Sequence, residues 1–179
     1  MMEFLRGWDH QLTIGFNHFF ASHAWSVALA VVAADYLIFV LALAALCVIM
    51  YRAGSKMARI EALRNLVTSV IAVYSVQWVI GSLWFRFRPF VVFHAIKKLI
   101  ATPVTLHSFP SGHATVAAAL ATVVYMYDKK WGKIAWFLAF VIAMGRVAAG
   151  VHYFSDVAVG LALGWIGTWI IVRFFKSIF

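Results

Sequence analysis

Residues 25–51 read WSVALAVVAADYLIFVLALAALCVIMY, a run whose one charged side chain is Asp35. A helix needs roughly 20 predominantly apolar residues to cross the hydrocarbon core of a bilayer. This run exceeds that length, so it reads as a transmembrane helix and the chain as an integral membrane protein. The composition agrees: 65% of the 179 residues are hydrophobic and 12% are charged, against about 25% charged in a soluble domain. The length suits a single domain over residues 1–179 rather than two.

Outward from this helix the chain alternates apolar runs with short polar ones. A second span is expected from about Ile60 to Phe85, a third from Ser111 to Tyr127, a fourth from Ile134 to Val151 and a fifth from Phe154 to Val172. The expected fold is therefore an all-α, polytopic membrane helical bundle of five transmembrane helices. Residues 1–23 add an interfacial helix, because Phe4, Leu5, Trp8, Leu12, Phe16, Phe19 and Phe20 recur at helical spacing with Arg6, Asp9 and Asn17 among them. Glu3, Asp9 and His10 interrupt this segment, which argues against a cleaved signal. The single Cys47 excludes an internal disulfide.

Charge orients the bundle. Five spans place the 52–59 loop, the 128–133 loop and the C-terminus on one side, where, with Arg64, nine of the fifteen Lys and Arg residues fall. The positive-inside rule makes that side cytoplasmic. The net charge of +9 is thus read as loop bias and contact with anionic lipid, not as a nucleic-acid surface. Nothing in the chain calls for an obligate protein partner.

Three polar islands interrupt the hydrocarbon between residues 86 and 156: Arg86-Phe87-Arg88-Pro89, Pro110-Ser111-Gly112-His113, and Arg146 through His152 to Asp156. By the orientation above, all three lie on the outer face. Arg88 and Arg146 carry planar forks suited to bidentate contact with phosphate oxygens. Ser111 and Gly112 open a helix, where free N–H groups and the helix dipole favour an anion. His152 and Asp156 are four residues apart, a spacing that lets a carboxylate fix the imidazole tautomer and leave the other nitrogen to attack phosphorus. His113 stands ready to protonate the leaving oxygen. Arginines at helix ends are commonly snorkelling anchors, and His107, His113 and His152 raise a metal reading. Three nearby arginines oppose a cation, however, and no His-Glu-x-x-His spacing exists, so no metal or other cofactor is expected. His94 and His107 read as loop residues at the rim.

Together the islands resemble the signature of the type 2 phosphatidic acid phosphatase superfamily, membrane branch: an Arg-Pro block, a Pro-Ser-Gly-His block and Arg-x5-His-x3-Asp, here Arg88-Pro89, Pro110 to His113, and Arg146, His152, Asp156. The resemblance implies that His113 is the general acid and His152 the nucleophile, oriented by Asp156. It also implies a metal-independent reaction, an outward-facing site and a lipid phosphate substrate. Two positions depart from the signature: Gly81 stands where a lysine is usual and Gly145 where a serine is usual. Arg86 is the expected substitute for the lysine as a phosphate ligand. The Arg-Pro-Phe-Val and Ser-Phe-Pro-Ser-Gly-His runs are most similar to small bacterial undecaprenyl-diphosphate phosphatases, which implies a multi-pass protein of the bacterial cytoplasmic membrane. Phosphatidylglycerophosphate, phosphatidic acid and lipid A phosphatases share the blocks and stay open as alternatives, as does a non-enzymatic protein that binds or transports anionic lipid. Asp35 is expected to make a structural contact within the bundle in preference to lining the entry to the site from the outer leaflet, since an intramembrane carboxylate is costly and often functional.

Overall fold

The computed structural model describes residues 2–104 and 107–178. The side chains of 1–6 and 175–179, among them Phe4, Leu5, Arg6 and Lys176, lie outside the described residues. The secondary structure assigned to the described residues is helical, and the elements are α1 (Met2–Phe20), α2 (Ala24–Val31), a π-helical turn (Val32–Tyr36), α3 (Leu37–Arg52), α4 (Lys56–Leu83), α5 (Pro89–Val92), α6 (Gly112–Tyr127), α7 (Lys129–Ala148) and α8 (Phe154–Ile178). α2, the π turn and α3 form one continuous apolar segment, Ala24–Arg52. Four described segments are long and apolar enough to cross a bilayer: Ala24–Arg52, Lys56–Leu83, Lys129–Ala148 and Phe154–Phe174. The third expected span, α6, is shorter at 16 residues, about 24 Å at 1.5 Å per residue.

The helix boundaries follow from capping chemistry. Ser55 opens α4, its hydroxyl accepting the Ala58 N–H at 3.1 Å. The second span therefore begins four residues before the expected Ile60, because a polar first turn with a good cap is still helix. Asp128 does the same for α7, with Oδ1 accepting from Lys130 N at 2.9 Å and Trp131 N at 3.0 Å. That helix thus starts at Lys129, not Ile134, and stops at Ala148, since the chain turns at Gly150 with φ of +75°. Asp128 Oδ2 also pairs with Arg52 Nε at 2.7 Å, so the two basic loops meet at one end of the bundle.

α6 is the central post. Ten of its residues, half of them alanine, are buried, and it packs against α3, α4, α7 and α8. Its shortness is tolerable because its neighbours, not lipid, cover its sides. The approach of α8 needs small residues: a Cβ at Gly164 would lie 2.2 Å from the Thr115 carbonyl oxygen, and one at Gly160 2.7 Å from that of Ser111. Such small-residue seams let membrane helices meet at backbone distance, where dispersion replaces the hydrophobic drive lipid cannot supply. Large apolar side chains such as Phe39, Leu43, Ile71, Phe137 and Trp165 point outward instead.

α1 carries an inverted pattern suited to lipid. Trp8, Leu12 and Phe19 are exposed, while Thr13 and Asn17 are fully buried. Asn17 donates to the carbonyls of Lys97 at 2.9 Å and Ala148 at 2.8 Å, and accepts the Lys97 N–H at 2.8 Å. One amide thereby holds α1, the 93–100 loop and the end of α7 together.

Candidate active site

One end of the bundle contains a cavity of about 410 Å³ whose lining includes Arg88, Gly112, His113, Arg146 and His152, with Asp35, Gln77 and His107. The residues of the three islands, scattered over seventy positions of sequence, thus converge. They do so because α6 starts, α7 ends and α8 starts at the same end, and because the segment after α4 folds back over them.

His152 lies in the tight connection from α7 to α8 and is almost fully buried. Its Nδ1 is 2.7 Å from the Ser108 carbonyl oxygen, an acceptor only, so Nδ1 carries the proton and donates. Nε2 is then the unprotonated nitrogen, 3.5 Å from Arg88 Nη1. Burial, with smaller contributions from Arg146 and Arg88, pushes the imidazole pKa down to about 4, although Asp156 pulls the other way. The ring is therefore neutral at pH 7, as a nucleophile must be.

The expectation that Asp156 itself takes the imidazole proton needs refinement. Its Oδ2 is 3.7 Å from His152 Nδ1, beyond hydrogen-bond length. That oxygen instead accepts from the Ser108 hydroxyl and from Tyr153 N at 2.8 Å. Asp156 is the third residue of α8, and its bond back to Tyr153 N has the geometry of half a capping box. The carboxylate thus holds Ser108 and Tyr153, the residues that frame His152, and acts on the ring at one remove. The sequence reading missed Ser108, because a main-chain carbonyl in an irregular loop leaves no residue-type signal.

Arg88 and Arg146 are both buried and both held from behind. Arg88 donates to the carbonyls of Val151 at 3.1 Å and His107 at 3.3 Å. Burial lowers the Arg88 pKa, opposed by the charge of Asp156, yet arginine stays charged at any ordinary pH. Arg146 Nη1 donates to Asp35 Oδ1 at 2.9 Å and to the Ala34 carbonyl at 3.2 Å. Asp35 accordingly makes the bundle contact expected of it, and the π turn presents its carboxylate to the arginine. Arg146 Nε is buried without a hydrogen-bond partner, as is the Ser111 hydroxyl. Gly112 lines the cavity, and Ser111 lies directly behind it, its N–H donating to the Asp156 carbonyl at 3.0 Å.

Arg86 is placed differently from expectation. It does not join the lining of this cavity: Nη1 bonds Asp156 Oδ1 at 2.7 Å and Ser155 Oγ at 2.7 Å, and Nη2 bonds Asp9 Oδ2 at 2.8 Å. Its guanidinium carbon also stacks 3.7 Å from the Tyr153 ring centre. Asp9, treated in sequence as one polar residue of an amphipathic helix, also accepts the Ser155 N–H at 3.0 Å and so caps the first turn of α8.

At both departures from the signature an added side chain would meet a neighbour. A Cβ on Gly81 would sit 2.1 Å from the His107 imidazole, and one on Gly145 would sit 2.7 Å from the backbone nitrogen of Ala34. His107, read as a rim residue, is part of the cavity wall. Gln77, a lone amide inside an apolar span, was a legible signal: it is buried and donates to the Pro110 carbonyl at 2.8 Å, holding the start of the second island. Among the described residues no group of three or more His, Cys, Asp or Glu is placed to hold a metal ion.

The arrangement offers two guanidiniums, a neutral imidazole with its free nitrogen at the cavity, and a second imidazole beside it, which is the equipment for phosphoryl transfer. Known proteins agree. Over 147 residues the chain is 33% identical to the putative undecaprenyl-diphosphatase YbjG of Escherichia coli strain K12, covering 82% of this chain and 72% of that one. It is 35% identical over 86 residues to the protein named bacitracin transport permease protein BcrC of Bacillus licheniformis, covering 48% of this chain and 42% of that one, less than half of either. Among solved structures, Aquifex aeolicus LpxE superposes with a TM-score of 0.69 at 24% identity, over 91% of this chain and 93% of that one. The PAP2-type phosphatidylglycerolphosphate phosphatase of Bacillus subtilis superposes with a TM-score of 0.65 at 20% identity, over 98% and 88%. These two likenesses establish a shared fold. Residues 62–179, more than half of the chain, match the PAP2 superfamily, and the chain belongs to that superfamily of membrane phosphatases.

Proposed function

We propose that this protein is a metal-independent lipid phosphatase working through a phosphohistidine, with undecaprenyl diphosphate, converted to undecaprenyl phosphate, as its preferred substrate. The observation that carries the reaction type is the convergence of Arg88, Arg146, His113 and His152 on one cavity, with Arg146 Nε buried and unpartnered. In the proposed sequence His152 Nε2 forms a bond to phosphorus as the phosphorus–oxygen bond to the lipid breaks. Arg88 and Arg146 hold the equatorial oxygens, and His113 gives the leaving oxygen its proton. Water then attacks phosphorus, His113 takes its proton, and the nitrogen–phosphorus bond breaks to release inorganic phosphate. Asp156 and Ser108 keep His152 in its reactive tautomer.

The polyprenyl preference is supported by the name of the Escherichia coli relative, the longer-covering of the two matches above. The fold is equally that of the phosphatidylglycerolphosphate phosphatase of Bacillus subtilis, so that substrate is the second reading. The charge asymmetry of the loops supports a site on the outer face of a bacterial cytoplasmic membrane. Purified protein in detergent, offered C55 diphosphate, phosphatidylglycerophosphate and phosphatidic acid in excess chelator, tests all of this. Phosphate release fastest from the C55 diphosphate and absent in His152→Ala is the expected result. Release abolished by chelator removes metal independence, and binding without release returns the protein to the class of lipid binders.

A further inference from the structure

His107 is the one imidazole of the cavity to which the mechanism above gives no task. It lies in the loop before α6 and lines the same cavity as both arginines and both catalytic histidines. Its backbone carbonyl accepts from Arg88 Nη2 at 3.3 Å, so loop and guanidinium place each other. Its ring lies against the bare backbone of α4 at Gly81, where even a Cβ would come within 2.1 Å of Cδ2 and Nε2. The ring is also oriented. Gln77 Nε2 donates to the Pro110 carbonyl at 2.8 Å, which fixes the amide, and the same nitrogen is 3.2 Å from His107 Nε2. A donor facing Nε2 makes that nitrogen the acceptor and leaves the proton on Nδ1.

We propose that His107 is a substrate-binding residue, a third donor to the phosphate group whose seat against α4 is made by the absence of a side chain at Gly81. This rests on the phosphatase reading and names a further contact of the same site. Unlike the two arginines, His107 can be neutral or charged. Burial and the charge of Arg88 lower its pKa in the free protein, so it meets substrate as a neutral donor through Nδ1 and takes a second proton, on Nε2 and at the cost of the Gln77 contact, only as pH falls or as an anion arrives. The groups that share the cavity with it are Tyr74 and Gln77 of α4, Arg88, His113 of α6, Arg146 of α7, His152, and Asp35 of the π turn. Four of the charged or chargeable ones, Arg88, His113, Arg146 and His152, are cationic when protonated or always so, and a phosphate dianion reverses the balance they impose. Substrate affinity is therefore expected to rise on acidification through His107.

The test compares KM and kcat of wild type, His107→Gln, His107→Ala, Gly81→Ala and the double variant Gly81→Ala/His107→Ala, each from pH 5.5 to 8, with thermal unfolding in detergent as the measure of folding. His107→Ala is expected to raise KM roughly tenfold with kcat within about threefold, the size of one charge-assisted hydrogen bond. His107→Gln is expected to lose the part of the KM change with pH that wild type shows. Gly81→Ala is expected to raise KM when His107 is present and to add nothing to His107→Ala, since the ring it displaces is gone. Unchanged KM in folded His107→Ala and His107→Gln, or a KM effect of Gly81→Ala that persists without the imidazole, overturns the proposal. A wild type that releases phosphate from none of the three lipids overturns the phosphatase reading instead.

Discussion

Arg86 and Asp156 are joined at 2.7 Å through Nη1 and Oδ1, which leaves Oδ2 of the same carboxylate to hold Ser108 and Tyr153 around His152. The arginine is pinned in turn by Asp9 of α1 at 2.8 Å. A chain of charges therefore runs from the N-terminal helix to the surroundings of His152, with the guanidinium shared between two carboxylates.

Removing the shared cation leaves Asp156, fully buried, without its partner. Arg86→Ala is expected to cost about 3 kcal/mol of stability, the usual consequence of orphaning a buried charge, and to lower kcat more than it raises KM. Arg88→Ala should instead abolish turnover with little loss of stability beyond its packing. Kinetics beside thermal unfolding of the two variants separates them; a large KM effect of Arg86→Ala with kcat intact would return Arg86 to the phosphate site.

Asp35 reaches Arg146 at 2.9 Å, with its own side chain 38% exposed. A partly exposed pair adds little stability, about 1 kcal/mol or less, but it orients an arginine that faces the cavity. Asp35→Asn is expected to leave the unfolding temperature nearly unchanged while lowering kcat/KM by about tenfold, one hydrogen bond's worth of positioning. Equal losses of stability and activity would show the carboxylate to be structural only.

Restoring the serine usual before the third-block arginine should harm this protein. A Cβ at Gly145 would meet the backbone of Ala33 and Ala34 at 2.7–2.8 Å, and backbone cannot step aside as a side-chain tip can. Gly145→Ser is expected to destabilise by about 1–3 kcal/mol, the range for overpacking, and to displace the π turn that carries Asp35. Thermal unfolding and kcat/KM measured together check this, and an unharmed variant would contradict the helix contact.

The buried His152 has consequences for pH. Its folded-state pKa of about 4 lies below the ordinary 6.5, so between those values the unfolded chain binds the proton and the folded one does not. Its contribution to stability is complete above pH 6.5 and is lost progressively as pH falls toward 4, on the order of 3 kcal/mol in all. His152→Ala should therefore unfold with a weaker pH dependence between 6.5 and 4. For the same reason the nucleophile should stay reactive below pH 6, with its own acid limb in kcat/KM near 4. A limb at 6.5 that follows His152 would show the imidazole to be solvated.

Much of this protein was decided by its sequence alone. Hydropathy is a local sum, so the run from Trp25 to Tyr51 had to span a membrane whatever its neighbours did. The motif spacings placed Arg88, His113, Arg146, His152 and Asp156 at helix ends on one side. What only the tertiary structure decided lies in the irregular loops and side-chain directions, which follow no period. There Arg86 turned to Asp9 and Asp156 instead of the cavity, the Ser108 carbonyl accepted the His152 Nδ1–H bond, and His107 settled on Gly81. Each outcome depends on which groups the packed helices bring within 3–4 Å, and that is a property of the assembled bundle, not of any segment in it.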